Sequence, residues 1–155
     1  MKLTNSLEEY LKTIYIIAIA EKRVRVTDVA KKLNCTKPSV NRALNALKED
    51  ALIKYEAYKN IELTKKGTSI AKNIIKKQDT FKLFLTEVLE VEKEKAEKEA
   101  ALIKHAISEE TVSKLEQYIN KILDLGDLEC GYDSENETCK RCVKLTAKRR
   151  LKKEF

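Results

Sequence analysis

Tryptophan is absent from this 155-residue chain, and proline, methionine and histidine each occur once. With only three glycines as well, there is little provision for the many tight turns of an all-β protein, so the composition points to helices joined by few loops. The sequence holds no nucleophile–base pair, phosphate-binding glycine loop or zinc-protease motif, which argues against catalysis. Long apolar runs are missing too. The longest, residues 14–20, contains Tyr15 and stops at Glu21, far short of the roughly 20 residues that span a bilayer. The opening MKLTNSLEEY is too acidic and too quickly amphipathic for a secretion signal. The expectation is a cytoplasmic protein, and in that compartment clustered cysteines serve metals or redox chemistry more often than disulfides.

Charge, by contrast, is abundant and unevenly spread. Residues 1–78 carry 17 Lys/Arg against 8 Asp/Glu, a net +9; residues 79–129 carry 7 against 13, a net −6; residues 130–155 carry 8 against 4, a net +4. A basic N-terminal segment, an acidic middle and a basic end suit separate units, the first attracted to a phosphate backbone.

The apolar periodicity fills in the architecture. In SLEEYLKTIYIIAIAE, Leu7, Leu11, Ile14 and Ile17/Ala18 share a helical face, with Ser6 as the expected N-cap. Arg23-Val24-Arg25-Val26 alternates as a short strand or extended link would. Thr27 is expected to cap a helix from Asp28 to Leu33, and Asn34-Cys35-Thr36 forms a three-residue turn. A second helix follows in KPSVNRALNALKED, with Pro38 in its first turn and Val40, Ala43, Leu44 and Leu47 inward. Helix, tight turn and helix read as a helix-turn-helix.

Residues 52–55 and 60–64 lean towards strand around a polar tip at 56–59, which makes a two-stranded wing. Thr64 then caps a long helical tract to about Leu89, and further helices fit 92–107 and 109–125, with Ser108 as a cap and Gly126 as a stop. The fold class is mainly α: an N-terminal winged helix-turn-helix followed by an all-helical dimerisation domain. The expected division is 1–77 for the first domain, its linking helix starting near 65, 78–125 for the second, and 126–155 for a Cys-containing loop and basic tail.

In a winged helix-turn-helix the early residues of the second helix face base edges. Here these are Thr36, Lys37, Pro38, Ser39, Asn41, Arg42 and Asn45. Arg42 suits guanine, Asn41 or Asn45 suits adenine, and Lys54 and Lys59 on the wing suit phosphates.

SLEEYLKTIYII, VTDVAKKLNCTKPSVNRALNALKED and IELTKKGTSIAKNI, continued by FKLFLTEVL and EAALIKHAISEETVSKLEQYI, together resemble the metal-dependent repressors related to the diphtheria toxin repressor and the manganese transport regulator. The likeness covers about residues 6–122. It implies a homodimer that binds a palindromic double-stranded DNA operator, one half-site per protomer, with no third barrel-like domain. It also implies Mn²⁺ or Fe²⁺ held by carboxylates and histidine from the first, connecting and dimerisation helices.

At those family positions this chain has Glu9, Lys12, Gln78, Ala101, Lys104 and His105. Only Glu9 and His105 keep ligand chemistry. Lys104 replaces a ligating Glu with an ammonium that donates and repels a cation. The family site is therefore expected to be degenerate, with Lys104 and Lys12 either paired to Glu9 and Glu99 or turned to solvent.

This shifts attention to Cys130, Cys139 and Cys142, spaced C-x8-C-x2-C. A C-x2-C pair lets two sulfurs converge on one metal, and three thiolates plus an outside ligand suit zinc or an iron–sulfur cluster. His105 is the first candidate for the fourth ligand, ahead of a carboxylate, Cys35 or a small molecule, and it reads equally as an ordinary helix residue. A thiol–disulfide switch and inert cysteines are the other readings. The basic KLTAKRRLKKEF either meets DNA phosphates or the acidic 79–129 stretch, or stays unstructured. The expectation is a DNA-binding regulator whose effector is a metal or cluster at the cysteines. The alternatives are a dimeric adaptor or metal-trafficking module without DNA binding, and a constitutive or thiol-responsive repressor.

Overall fold

The computed structural model describes residues 3–123, together with the backbone of two short strands, Tyr132–Asp133 and Thr138–Cys139. Cys130, Cys142, the side chain of Cys139 and the terminal basic segment lie outside the described residues. The chain divides into two compact units, residues 1–74 and 75–155.

In the first unit, α1 spans Asn5–Glu21, and its N-cap is Thr4, whose hydroxyl accepts the Leu7 N–H at 3.3 Å. Ser6, expected in that role, already lies inside the helix. Helix α2 runs Val26–Leu33, two residues earlier than Thr27 capping would allow. The reason is Asp28, whose carboxylate reaches back to accept the Arg25 N–H at 3.1 Å and satisfies a donor at the helix start. Asn34 closes α2 at φ 49°, a left-handed position that asparagine tolerates, and Cys35 N–H bonds to Ala30 O at 3.0 Å. Helix α3, Lys37–Glu49, begins at once after Thr36, so the turn is the three residues expected.

Strands β1 (Ile53–Lys54) and β2 (Glu62–Leu63) pair antiparallel, Ile53 opposite Leu63 and Lys54 opposite Glu62. The strands are shorter than the sequence suggested. Val24 extends the wing on its inner side, its carbonyl accepting the Ile61 N–H at 3.0 Å. Leu11, Ile14, Val24, Val29, Val40, Leu44, Leu47, Leu52, Ile61, Ala71 and Ile74 form one continuous buried core.

Helix α4, Lys65–Leu83, starts from a crowded junction. The Thr64 hydroxyl lies 2.8 Å from Ala51 O and 3.1 Å from Leu52 O, and accepts the Gly67 N–H at 3.0 Å. Gly67 must be glycine: a Cβ there would fall 1.9 Å from Leu52 O. The helix passes into a wide π-helical turn, Phe84–Val88, in which Leu89 N–H bonds to Phe84 O at 3.2 Å.

The second unit contains the end of α4 with α5 (Lys93–Ile103) and α6 (Glu109–Leu123). Ser108 caps α6, accepting the Thr111 N–H at 3.2 Å, as its sequence position indicated. Its apolar residues form two small groups, one around Leu83 and Ile119 and one around Phe81, Ala100 and Val112. Near the C-terminus, β3 (Tyr132–Asp133) pairs antiparallel with β4 (Thr138–Cys139), Tyr132 opposite Cys139. The architecture is a mainly helical winged helix-turn-helix followed by a helical domain.

Candidate nucleic-acid interface

Helix α3 turns Val40, Ala43, Leu44 and Leu47 into the core. The same geometry leaves Lys37, Pro38, Asn41, Arg42 and Asn45 on the exposed face, with Thr36 exposed at the cap and Ser39 half-buried beside it. Thr36 and Ser39 hydroxyls are 2.9 Å apart, and Arg42 Nη2 donates to Ser39 Oγ at 3.5 Å. A short polar ladder therefore lines the start of the helix. Lys54 and Lys59 are exposed on the wing; Lys59 pairs with Glu56, which raises the lysine pKa and lowers the carboxyl pKa, mainly through their hydrogen bond.

Between α3, the start of α2 and the wing lies a groove of about 790 Å³. Its walls include Arg23, Arg25, Lys37 and Lys59 but no acidic side chain. Because Val24 is buried, its neighbours Arg23 and Arg25 are both pushed outward, the alternation already visible in Arg23-Val24-Arg25. Their place in the groove was not foreseen. Neither was Tyr55, whose hydroxyl donates to Asn41 Oδ1 at 3.1 Å and ties the wing to α3. Tyr58 stands fully exposed at the wing tip with φ 64°, a left-handed conformation unusual for an aromatic residue. On the inner side, the Tyr10 hydroxyl donates to Cys35 Sγ at 3.6 Å; that hydrogen bond, then burial, raises the phenol pKa. Cys35 is thus a half-buried anchor of the turn.

The second set of residues behaves differently. Lys12 and Glu9 form an ion pair of 2.8 Å along α1. In the second unit Lys104 is only 3% exposed, and its Nζ donates to Gln78 Oε1 at 3.1 Å. Lys104 therefore does not point to solvent. Ala101 and His105 are half-buried. Among the described residues, no three of His, Cys, Asp or Glu gather so as to hold a metal ion.

Residues 2–61 match the N-terminal DNA binding domain of iron dependent repressors, and residues 64–124 match their metal binding and dimerisation domain. An uncharacterised helix-turn-helix transcriptional regulator of Methanocaldococcus jannaschii is 34% identical over 123 residues, 79% of this chain and 98% of that protein. The regulator MntR of Bacillus velezensis is 27% identical over 146 residues, 94% of each. Among solved structures, the manganese regulator SloR superposes with a TM-score of 0.66 at 25% identity over 76% of this chain. The chain spans only 55% of the length of that structure. No helix among the described residues is long and apolar enough to cross a membrane. The chain belongs to the iron dependent repressor family, whose members are DNA-binding, metal-dependent transcriptional repressors with a dimerisation domain rather than enzymes.

Proposed function

We propose that this chain is a transcriptional regulator that binds a palindromic operator as a homodimer. The supporting observation is the exposed polar face of α3 beside a groove walled by four cations and no acid. Residues 1–77 act as the DNA-binding domain, 78–125 as the dimerisation domain and 126–155 as an appended sensory segment. Thr36, Lys37, Pro38, Ser39, Asn41, Arg42 and Asn45 meet the major groove, and Lys54 and Lys59 meet phosphates. Arg42 is the guanine reader. Adenine readout requires both amide groups, so Asn45 suits it better than Asn41, whose oxygen Tyr55 already engages. Leu102, Tyr118 and Ile122, respectively 74, 52 and 47% exposed, supply apolar surface for a second copy.

The effector in this reading is zinc or an iron–sulfur cluster at Cys130, Cys139 and Cys142, with His105 as the fourth ligand. Pairing of Tyr132 with Cys139 favours it, because it folds the segment following Cys130 back towards Cys139. Anaerobic purification followed by iron, zinc and sulfide analysis and an absorbance spectrum tests this part; a colourless protein without metal would sink it.

DNA binding is tested by selecting operators from random duplexes and measuring affinity against salt. A steep fall of affinity with salt is expected, and Arg42→Ala should cost about 1–3 kcal/mol on the selected site while relaxing base preference at one position. Lys54→Ala should weaken all sequences alike and reduce the salt slope by about one. Absence of DNA binding at low salt would favour the adaptor reading.

A further inference from the structure

Helix α5 presents Ala96, Ala100 and Lys104 at four-residue intervals, one above another on the same face, and all three are buried. The first two need no explanation. A lysine on a buried stripe does, because removing an ammonium from water is unfavourable unless hydrogen bonds and opposing charge replace the solvent. Lys104 meets the requirement in part by its position: it is the C-cap of α5, the end where unsatisfied carbonyls favour a cation. Its Nζ also donates to Gln78 Oε1 on α4 at 3.1 Å.

This contact is one of a row. Along the same stretch of α4, Lys76 pairs with Glu116 at 3.0 Å, Lys77 donates to Ile107 O at 3.5 Å, and Lys82 pairs with Glu97 at 2.8 Å. Four lysine contacts, three from α4 and one towards it, tie that helix to α5, α6 and the turn between them. The outer three are at least partly open to water and contribute little each. Lys104 is the buried one.

The matched domain is described as metal binding, yet this donor set does not fit a divalent ion. A buried ammonium repels the ion and has no lone pair to give it. Gln78 spends its amide oxygen on Lys104 rather than keeping it for a metal. We infer that Lys104 is a positioning residue that supplies, as a covalently tethered cation, the positive charge that metal-dependent relatives take from solution. The α4–α5 arrangement is then fixed at all times, and Mn²⁺ or Fe²⁺ does not switch this unit. This rests on the DNA-binding reading only where operator affinity is the readout.

The test uses the full chain, stripped with chelator, with Mn²⁺ as the added probe. Two quantities are read, the thermal midpoint and the affinity for a selected operator. The wild-type midpoint should not respond to Mn²⁺, and operator affinity should change by less than about twofold. Lys104→Met, with helicity and dimer content checked, should weaken operator binding by roughly tenfold or more, and Lys104→Arg, which keeps the charge, should restore most of it. Lys104→Glu combined with Gln78→His should gain a Mn²⁺-dependent rise in midpoint. A saturable Mn²⁺-dependent rise in the wild-type midpoint, with one ion bound per chain by elemental analysis, overturns the inference. So does a folded Lys104→Met chain that binds the operator as tightly as wild type. If Lys104→Met does not fold, the wild-type Mn²⁺ titration and the double variant still decide. A wild-type chain that binds no DNA at low salt defeats the DNA-binding reading and leaves the midpoint measurements to judge this one.

Discussion

The N-terminal unit draws aliphatic side chains from α1, α2, α3, the wing and the start of α4 into one unbroken core, and its exposed face is polar and basic. The C-terminal unit divides its apolar residues between two small groups, buries a lysine, and leaves Leu102, Tyr118 and Ile122 in water. The contrast is physical before it is functional. A unit with one continuous core gets its stability from within, since each fully buried Leu or Ile contributes about 1.5–3 kcal/mol. A unit whose apolar surface remains partly outside gains from a second surface, so its stability should depend on protein concentration. The DNA-facing part is built as a finished tool and the other part as half of an assembly.

The severest way to break the first half of this comparison is Gly67→Ala. A methyl group 1.9 Å from Leu52 O cannot be accommodated without moving the wing against α4. A loss of about 3 kcal/mol or more is expected in urea denaturation, accompanied by loss of DNA binding. Next comes the double change Tyr118→Glu and Ile122→Glu, directed at the other unit. Sedimentation should show dimer dissociating, with a penalty of at least about 2 kcal/mol in association. The folding of the N-terminal unit should stay intact, and a stable dimer in the double variant would break the comparison. Thr64→Val removes the acceptor for the Gly67 N–H and should lower stability by about 1 kcal/mol without moving the dimer constant. The mildest is Tyr55→Phe, which frees Asn41 and should cost about 0.5–1 kcal/mol, seen as a shift in base preference more than in melting.

The legibility of the two units in the sequence differs for the same reason. Leu11, Ile14, Ile17, Val29, Val40, Leu44 and Leu47 follow helical spacing, and every one is buried where the pattern put it. The three-residue turn at Asn34–Thr36 was equally plain. Helix starts were less so: Thr4 and Ser6 both have capping chemistry, and Asp28 acts from inside α2, so local residue type did not decide between neighbours. The Tyr55–Asn41 contact joins residues 14 apart in the chain, and only the tertiary fold brings them together. Lys104 was readable in principle from its four-residue spacing with Ala96 and Ala100, but a lysine in a charged segment resembles surface. Tyr58 carried no signal beyond its place in the wing.

The wide turn at Phe84–Val88 has a consequence for how the chain can vary in length. Such a turn is an α-helix holding one additional residue, and Thr86 sits in the widened section with its hydroxyl 3.0 Å from Lys82 O and 3.4 Å from Leu83 O. A one-residue deletion here would restore the ordinary helical repeat and rotate the exit of the chain by about 100°. Leu85, now buried, would leave its face, and the path to α5 would change direction. Substitutions along this stretch alter a side chain, whereas a missing codon alters the heading of everything that follows.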